Sequence, residues 1–325
     1  MRGYAEYVNL LTGSALTVNG KTVFSDPLPV GEGWYRANLR IGIVFTVGSG
    51  STPITEGELG FIKNVLFKTD RGEIICNLPG RALYKIASFK AGIAAPRKDA
   101  IAASSATYYV NLPIYFAEHY RLMDRPEDTI LDTKRYSSMT LEIQLGTVAD
   151  LLTTVGSSSV TATLDMEVVR TKGLLPEKGG PIGSISYDYR NPVDASVSQQ
   201  VLLERADDLA IKRLYIHSAT GATAGSPMSG ANSDAVQNVV TVKDQAGFII
   251  KERIHRMIQE SNQLDYSLES ILTGMECLDF VQEGSVHAAL ATKGKSLLQY
   301  GWTNQSGVSS GYNVTVLSEG IRGLK

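Results

Sequence analysis

The side chains with the clearest chemical spacing lie in AALATKGKS (288–296), which approximates a phosphate-binding loop. Gly294, Lys295 and Ser296 would supply the glycine turn, the phosphate-binding lysine and the hydroxyl of such a loop. A phosphate-binding loop joins a strand to a helix, so that helix amides meet the phosphates. Here LLQYGW follows Ser296 and is typical of a strand, and Ala289 replaces the first glycine. We therefore interpret the segment as a basic turn between strands.

Metal or acid–base chemistry would require His, Asp and Glu side chains at regular spacing. The four histidines are scattered without such spacing: His119, His217, His255 and His287. His255 is expected on the solvent side of a helix. The stretch 118–135 contains five carboxylates among Arg and Lys residues. Interleaved charges are typical of a solvated loop or a polar subunit contact rather than of a glycosidase pair.

The sequence also lacks the patterns of nucleophilic and dinucleotide-dependent enzymes. No segment reads G-x-S-x-G, and GEGW (31–34) and VGSGST (47–52) lack the third glycine of a dinucleotide-binding loop. We therefore predict no catalytic, cofactor-binding or metal-binding residues, and no enzymatic activity.

The composition is that of a large, nearly neutral globular chain. Its 325 residues are 43% hydrophobic, which suffices for two medium cores, and 31 Lys and Arg nearly balance 33 Asp and Glu. A neutral chain has no field with which to hold a polyanion, so direct nucleic-acid binding is not expected. Cys76 and Cys277 form no metal-ligand spacing, and the N-terminal residues lack a continuous apolar segment. Folding in a reducing cytoplasm is expected.

Two sets of apolar segments rich in β-branched and aromatic residues predict strands, each set bounded by Gly, Ser, Asp or Pro. The first set comprises residues 39–47, 61–67, 107–117, 139–145 and 160–169. The second comprises residues 209–218, 236–243, 275–281, 296–302 and 312–318. Between them, the Gly- and Pro-rich stretch 174–192 is typical of a linker.

Two segments have helical periodicity. NLPGRALYKIASFKAG (77–92) begins near a proline and ends at a glycine, as helices commonly do. In FIIKERIHRMIQES (248–261), Ile250, Ile254, Met257 and Ile258 form one apolar stripe at helical spacing.

The order strand, glycine turn, Ile-Ile and helix occurs twice. NVLFKTDRGEII precedes the first helix and NVVTVKDQAGFII precedes the second, so that Asn64 corresponds to Asn238 and Gly72 to Gly247. Fainter parallels flank this match in the same order, which indicates a tandem duplication of whole domains. The sequence predicts an all-β chain of two tandem eight-stranded jelly rolls, each with one short inserted helix. The predicted regions are an N-terminal arm (1–35), a first jelly roll (36–175), a linker (176–200) and a second jelly roll (201–325).

This organisation resembles the double jelly-roll major capsid proteins of tailless icosahedral bacteriophages with an internal membrane and, more distantly, adenovirus hexon. The resemblance covers residues 36–325 and depends on repeat order. Residues 111–147, NLPIYFAEHYRLMDRPEDTILDTKRYSSMTLEIQLGT, are also similar to the family's passage from an apolar strand through a polar loop to a strand with a Leu-Glu-Ile core.

The resemblance implies a structural subunit located in the virion capsid. Three copies would form a pseudo-hexagonal homotrimer whose six jelly rolls tile an icosahedral shell, in contact with neighbouring capsomers and with penton and minor capsid proteins. The 1–35 arm would reach a neighbouring subunit or the inner viral membrane, or would be an ordinary disordered terminus.

Two other classes of protein remain open at this point. A carbohydrate-binding or adhesive two-domain β protein, such as a spike or tail module, would have a groove lined by exposed aromatics, for which Trp34 and Trp302 are available. A two-barrel metalloenzyme would need clustered His and carboxylate ligands.

Overall fold

The structure is a computed structural model that describes residues 4–24, 28–48, 50–91, 95–118, 129–172, 183–190, 193–221, 228, 230–281 and 288–323. The chain divides after Ile185 into two compact units. Each unit is built mainly from antiparallel strands joined by turns.

The first unit contains the elements up to Lys172. They are β1 (Tyr4–Leu16), β2 (Gly20–Phe24), β3 (Gly33–Thr46), α1 (Gly57–Phe61), β4 (Ile62–Thr69), β5 (Ile74–Leu78), α2 (Gly80–Ala91), β6 (Ala106–Tyr115), β7 (Leu131–Asp132), β8 (Met139–Leu145) and β9 (Ser159–Lys172). Its strands form two antiparallel layers, in the orders β1-β9-β3-β6 and β2-β8-β4-β5.

The following elements are β10 (Ser184–Tyr189), β11 (Val193–Asp194), β12 (Gln200–Leu202), β13 (Leu209–Thr220), β14 (Ala231–Asn232), β15 (Gln237–Asp244), β16 (Ile249–Ile254), α3 (His255–Asp265), β17 (Met275–Asp279), β18 (Leu290–Ala291), β19 (Leu298–Asn304) and β20 (Tyr312–Arg322). In the second unit, one layer has the order β11-β20-β13-β17. The other has the order β12-β19-β15-β16.

The two units have the same strand connectivity. In the first unit β1 pairs with β9, which pairs with β3; in the second unit β11 pairs with β20, which pairs with β13. The second layers also match, with the order β2-β8-β4-β5 in the first unit and β12-β19-β15-β16 in the second. α2 lies between β5 and β6, and α3 lies between the corresponding strands β16 and β17. Eight-stranded sandwiches with this two-layer arrangement are jelly rolls, so the predicted fold class is confirmed. The first unit also has the five-residue α1, which the prediction of a single inserted helix did not include.

The duplicated glycine turns have nearly identical geometry. Gly72 has φ +76° and Gly247 has φ +77°. The amide of Gly72 donates to the Thr69 carbonyl, and the amide of Gly247 donates to the Asp244 carbonyl, both at 3.0 Å. A left-handed φ favours glycine, which explains why this residue type recurs at the matched position.

Each unit has its own aromatic and aliphatic core. In the first unit Trp34, Phe67 and Phe116 pack with ring centroids 5.5 to 6.1 Å apart. In the second, the buried rings of Tyr300 and Trp302 are 5.9 Å apart and pack with aliphatic residues from both layers. Inward side chains alternate with outward ones along the strands, as in β4, which explains the alternating sequence pattern.

The expectation of an extended arm over residues 1–35 is wrong for the residues that the structure describes. β1 pairs with β9 and β2 pairs with β8, so this region contributes two strands to the first unit. Of residues 5–16, only Leu16 is buried, and the hydrophobic alternation that would identify a strand is correspondingly weak. These residues are therefore part of the sheets of the first unit rather than a separate arm.

Two further expectations need correction. Residues 176–182 of the predicted linker lie outside the described residues, but 184–189 and 193–194 form strands, with Ile185 and Tyr187 buried. The second helix begins at His255, since Ile250 and Ile254 lie in β16. Residues four apart share one face of a strand as well as of a helix, and pairing with β15 selects the strand.

Candidate functional site

The most unusual side-chain arrangement of the second unit begins at an irregularity in β13. The pairing of β13 with β20 shifts between Ile211, which faces Gly320, and Arg213, which faces Glu319. A β-bulge of this kind places two residues of one strand opposite a single residue of the other. Lys212 and Arg213 therefore both reach the carboxylate of Glu319, although adjacent residues of a regular strand point to opposite faces.

Three buried groups bind the Glu319 carboxylate. Lys212 Nζ lies 3.1 Å from Oε1, the Tyr215 hydroxyl donates to Oε2 at 2.8 Å, and Arg213 Nη1 lies 3.5 Å from Oε2. Glu319 and Lys212 are fully buried. Because burying an isolated charge is costly, this site is stable only when its cations and carboxylates balance.

A second carboxylate completes the balance. Arg213 Nε donates to Asp279 Oδ2 at 2.8 Å, and the Tyr266 hydroxyl donates to the same oxygen at 2.6 Å. The Cys277 thiol lies 3.2 Å from the Tyr266 hydroxyl. Burial raises the pKa values of Cys277 and Tyr266 well above their usual range. Both groups are therefore neutral near pH 7, and a neutral buried thiol is a poor nucleophile.

His255 lies in a separate buried polar cluster. Its Nδ1 is 2.7 Å from Glu276 Oε2, and its Nε2 is 4.0 Å from Asp234 Oδ1. The other Glu276 oxygen accepts a hydrogen bond from Tyr300 at 3.2 Å. Burial alone would lower the pKa of His255, but Glu276, with a smaller effect from Asp234, raises it above its usual value. The expectation that His255 is solvent-exposed is wrong, because its ring points into the unit against Glu276.

The phosphate-loop pattern at 288–296 does not have the geometry of a phosphate site. Its described residues connect β18 to β19, two strands, and Gly294 has φ +71° in a turn. Lys295 Nζ lies 3.3 Å from Asp244 Oδ2, and Ser296 Oγ donates to Gln245 at 2.7 Å. The turn therefore binds the neighbouring β15–β16 turn.

The remaining candidate residues are not brought together. His119, His287 and residues 119–128 lie outside the described residues, while Asp132 accepts the Lys134 amide at the start of a short 3-10 helix. His217 Nε2 lies 2.9 Å from Asn232 Oδ1. Over the part of the chain that the structure describes, no three His, Cys, Asp or Glu side chains are placed to hold a metal ion.

The groove on the outer face of the β12-β19-β15-β16 layer is mainly polar. It has a volume of 460 Å³ and is lined by side chains such as Gln200, Thr241, Lys243 and Gln299. Trp302 is 4% exposed and donates Nε1–H to Asn304 at 2.8 Å, and Trp34 is 1% exposed in the other core. Neither tryptophan forms the aromatic platform that a sugar-binding groove requires, so the carbohydrate-binding alternative is not favoured.

The duplicated two-layer units define a class of protein, the double jelly roll. No protein-family model matches the chain, and no curated protein sequence matches it. Solved structures do match over nearly the whole chain.

Three of these structures are capsid components of different viruses. The major capsid protein of Sulfolobus turreted icosahedral virus has a TM-score of 0.68 at 13% identity, over 98% of this chain and 97% of its own. The major capsid protein P2 of bacteriophage PM2 has a TM-score of 0.59 at 13% identity, over 98% of both chains. VP54 of PBCV-1 has a TM-score of 0.64 at 7% identity, over 98% of this chain and 93% of its own. The chain therefore shares the fold of these proteins along its full length.

None of the helices in the described ranges is both long and apolar enough to cross a membrane.

Proposed function

We propose that this chain is the major capsid subunit of a tailless icosahedral virus. The observation that carries the proposal is the repeated strand connectivity of the two units, which gives each chain two similar bodies. The full-length likeness to major capsid proteins of three viruses supports it.

The geometric consequence is a homotrimer. Three chains with two similar units each present six similar bodies, so a threefold object can occupy a nearly sixfold lattice position. A closed ring of identical subunits also follows the symmetry that soluble oligomers usually adopt. The proposed partners are two more copies of the chain, then neighbouring trimers, with penton and minor capsid proteins at the vertices and seams.

The interior chemistry supports a structural rather than a catalytic role. The clusters around Glu319 and Glu276 are buried, and each charged group of the Glu319 cluster is matched by an opposite charge. The near-neutral chain also supports a shell that does not bind the genome directly. The buried thiols of Cys76 and Cys277 are compatible with folding in a reducing host cytoplasm.

The experiment is a measurement of the mass of the purified full chain by size-exclusion chromatography with light scattering. The proposal predicts a particle of three copies, which is about 105 kDa from the chain mass of 35.1 kDa. A chain that stays monomeric at high protein concentration would contradict it.

A further inference from the structure

α3 packs few apolar side chains against the second unit. Four of its eleven residues are buried, and these are His255, Ile258, Gln259 and Asn262. Ile258 is the one apolar residue of the four. A helix normally docks on a protein through an apolar stripe, so other contacts must hold α3 in place.

α2, the corresponding helix of the first unit, docks in the usual way. Matching positions of the two helices differ by 175 residues, because α2 begins at Gly80 while α3 begins at His255. The α2 residues that match the last three buried residues of α3 are Leu83, Tyr84 and Ala87, and all of them are buried. The stripe that is mainly apolar in α2 is therefore mainly polar in α3.

Two of the polar contacts of α3 involve carboxylates. His255 Nδ1 lies 2.7 Å from Glu276 Oε2 in β17. Gln259 Nε2 donates to Asp234 Oδ1 at 2.6 Å, in the loop before β15. The side-chain oxygen of Gln259 has no hydrogen-bond partner among the described residues. Docking of α3 thus depends on charge and hydrogen bonding, and it leaves one buried acceptor unsatisfied.

Asn262 provides a third contact and covers the edge of β17. The side-chain amide of Asn262 donates to the Cys277 carbonyl at 2.8 Å, and its oxygen accepts the Cys277 amide at 2.7 Å. On its other side β17 pairs with β13, and no second strand of the described ranges pairs with it. An open strand edge is a template for pairing with another chain. α3 therefore covers main-chain groups that an incoming strand could bind.

The charge on His255 balances a fully buried carboxylate. Apart from His255, Glu276 is bound by the Tyr300 hydroxyl, which donates to Oε1 at 3.2 Å. Burial by itself would lower the pKa of His255, but Glu276 raises it above the usual value. When His255 loses its proton, the buried carboxylate loses the cation beside it, which is unfavourable.

Other elements also place charged or polar groups around this pair. From the loop before β15, Asp234 Oδ1 lies 4.0 Å from His255 Nε2, and the next residue of α3, Arg256, opposes the charge of the imidazolium. From β16, Arg253 donates to Ser261 at 2.8 Å. From β15, the uncharged Gln237 accepts from Tyr300 at 2.9 Å. Histidine is the residue type in this set whose charge ordinarily changes near neutral pH.

We infer that α3 is a releasable cover of the β17 edge, docked while His255 carries a proton and released when it does not. Elements with few buried apolar contacts open locally at low cost, and one buried isoleucine cannot offset an unpaired buried carboxylate. Release would make the main-chain groups of Cys277 available to a partner strand. The inference concerns a single chain and does not depend on the proposed homotrimer.

The test is hydrogen exchange of the full wild-type chain, measured by mass spectrometry from about pH 6 to about pH 9. Rates are corrected for the intrinsic pH dependence of amide exchange. Protection of the α3 amides and of the Cys277 amide should fall by about tenfold or more over this range, while the amides of α2 change far less.

A variant assigns the effect to the histidine. His255→Gln keeps a hydrogen-bonding side chain but cannot carry the charge, so its α3 amides should be weakly protected at every pH. The matched control is Arg256→Gln, which removes an exposed charge of the same helix and should retain the pH dependence of the wild type. Circular dichroism and thermal melting establish that each variant is folded.

Three results would overturn the inference. One is constant protection of α3 in the wild type, which decides the question even if a variant fails to fold. Another is an equal fall in α2 and α3, because the opening would then be global. The third is a folded His255→Gln variant with the pH dependence of the wild type.

Discussion

Replacing Glu319 with glutamine should destabilise the second unit strongly. The change preserves the size of the side chain but removes the charge that Lys212 and Arg213 share. Lys212 Nζ lies 3.1 Å from the carboxylate, and the Tyr215 hydroxyl donates to it at 2.8 Å. After the change, the Asp279 carboxylate still lies beside Arg213, but Lys212 has lost its ion pair with Glu319.

The expected cost follows from the burial of the cluster. Breaking a buried ion pair by removing one partner costs about 3 to 5 kcal/mol, because the remaining charge is left uncompensated. For a domain of this size, such a loss lowers the melting temperature by roughly 10 °C or more. Adding Lys212→Met removes the uncompensated cation, so the double variant should recover part of the lost free energy of unfolding.

The assay is chemical denaturation of the purified chain at one fixed protein concentration. Glu260→Gln is the matched control, because the Arg256–Glu260 pair has both side chains more than half exposed. Exposed helical pairs contribute only about 0.3 to 0.5 kcal/mol. Equal small losses for Glu319→Gln and Glu260→Gln would refute the reasoning, as would a double variant less stable than the single one.

Three further predictions concern the turns, the buried histidine and the first core. Gly72→Ala and Gly247→Ala should each lower the free energy of unfolding by about 1 kcal/mol, because φ is positive at both residues and open space surrounds them. If urea unfolding gave very different losses for the two variants, the two turns would not be equivalent. The pKa of His255 is raised in the folded state, so the ion pair of His255 with Glu276 stabilises the fold fully below the unfolded-state pKa of about 6.5. This contribution to the free energy of unfolding is lost as the pH rises through the folded-state pKa. Stability measured from pH 6 upward should therefore fall less in His255→Gln than in wild type, and parallel curves would argue against the ion pair. Trp34→Ala should cost about 3 to 5 kcal/mol by thermal unfolding, and a loss below 1 kcal/mol would contradict its placement in the core.

The fold class could be predicted because both units repeat their local order. The glycine turns at Gly72 and Gly247 require a residue that tolerates positive φ, and hydrophobic alternation marks strands such as β4 and β15. β1 escaped prediction because nearly all of its side chains are exposed or only partly buried, so its sequence has no clear hydrophobic alternation. The predicted start of the second helix was wrong because Ile250 and Ile254 fit the periodicity of a strand as well as that of a helix.

The buried clusters were harder to predict. The apolar strand β13 contains two adjacent charged residues, Lys212 and Arg213, and this pattern indicates buried charge. In a regular strand, however, the two side chains would point to opposite faces of the sheet, so a shared partner could not be predicted. Their shared partner Glu319 depends on a bulge and a register set by residues over a hundred positions away. The orientation of His255 was mispredicted because Glu276, its partner, lies in a different element.

Electron micrographs of the purified full chain in negative stain test the central claim most directly. Two similar units per chain, in a ring of three chains, predict class averages with threefold symmetry and a six-lobed, nearly hexagonal outline. Class averages showing single two-lobed particles or twofold dimers, at concentrations where the protein is folded, would contradict the account.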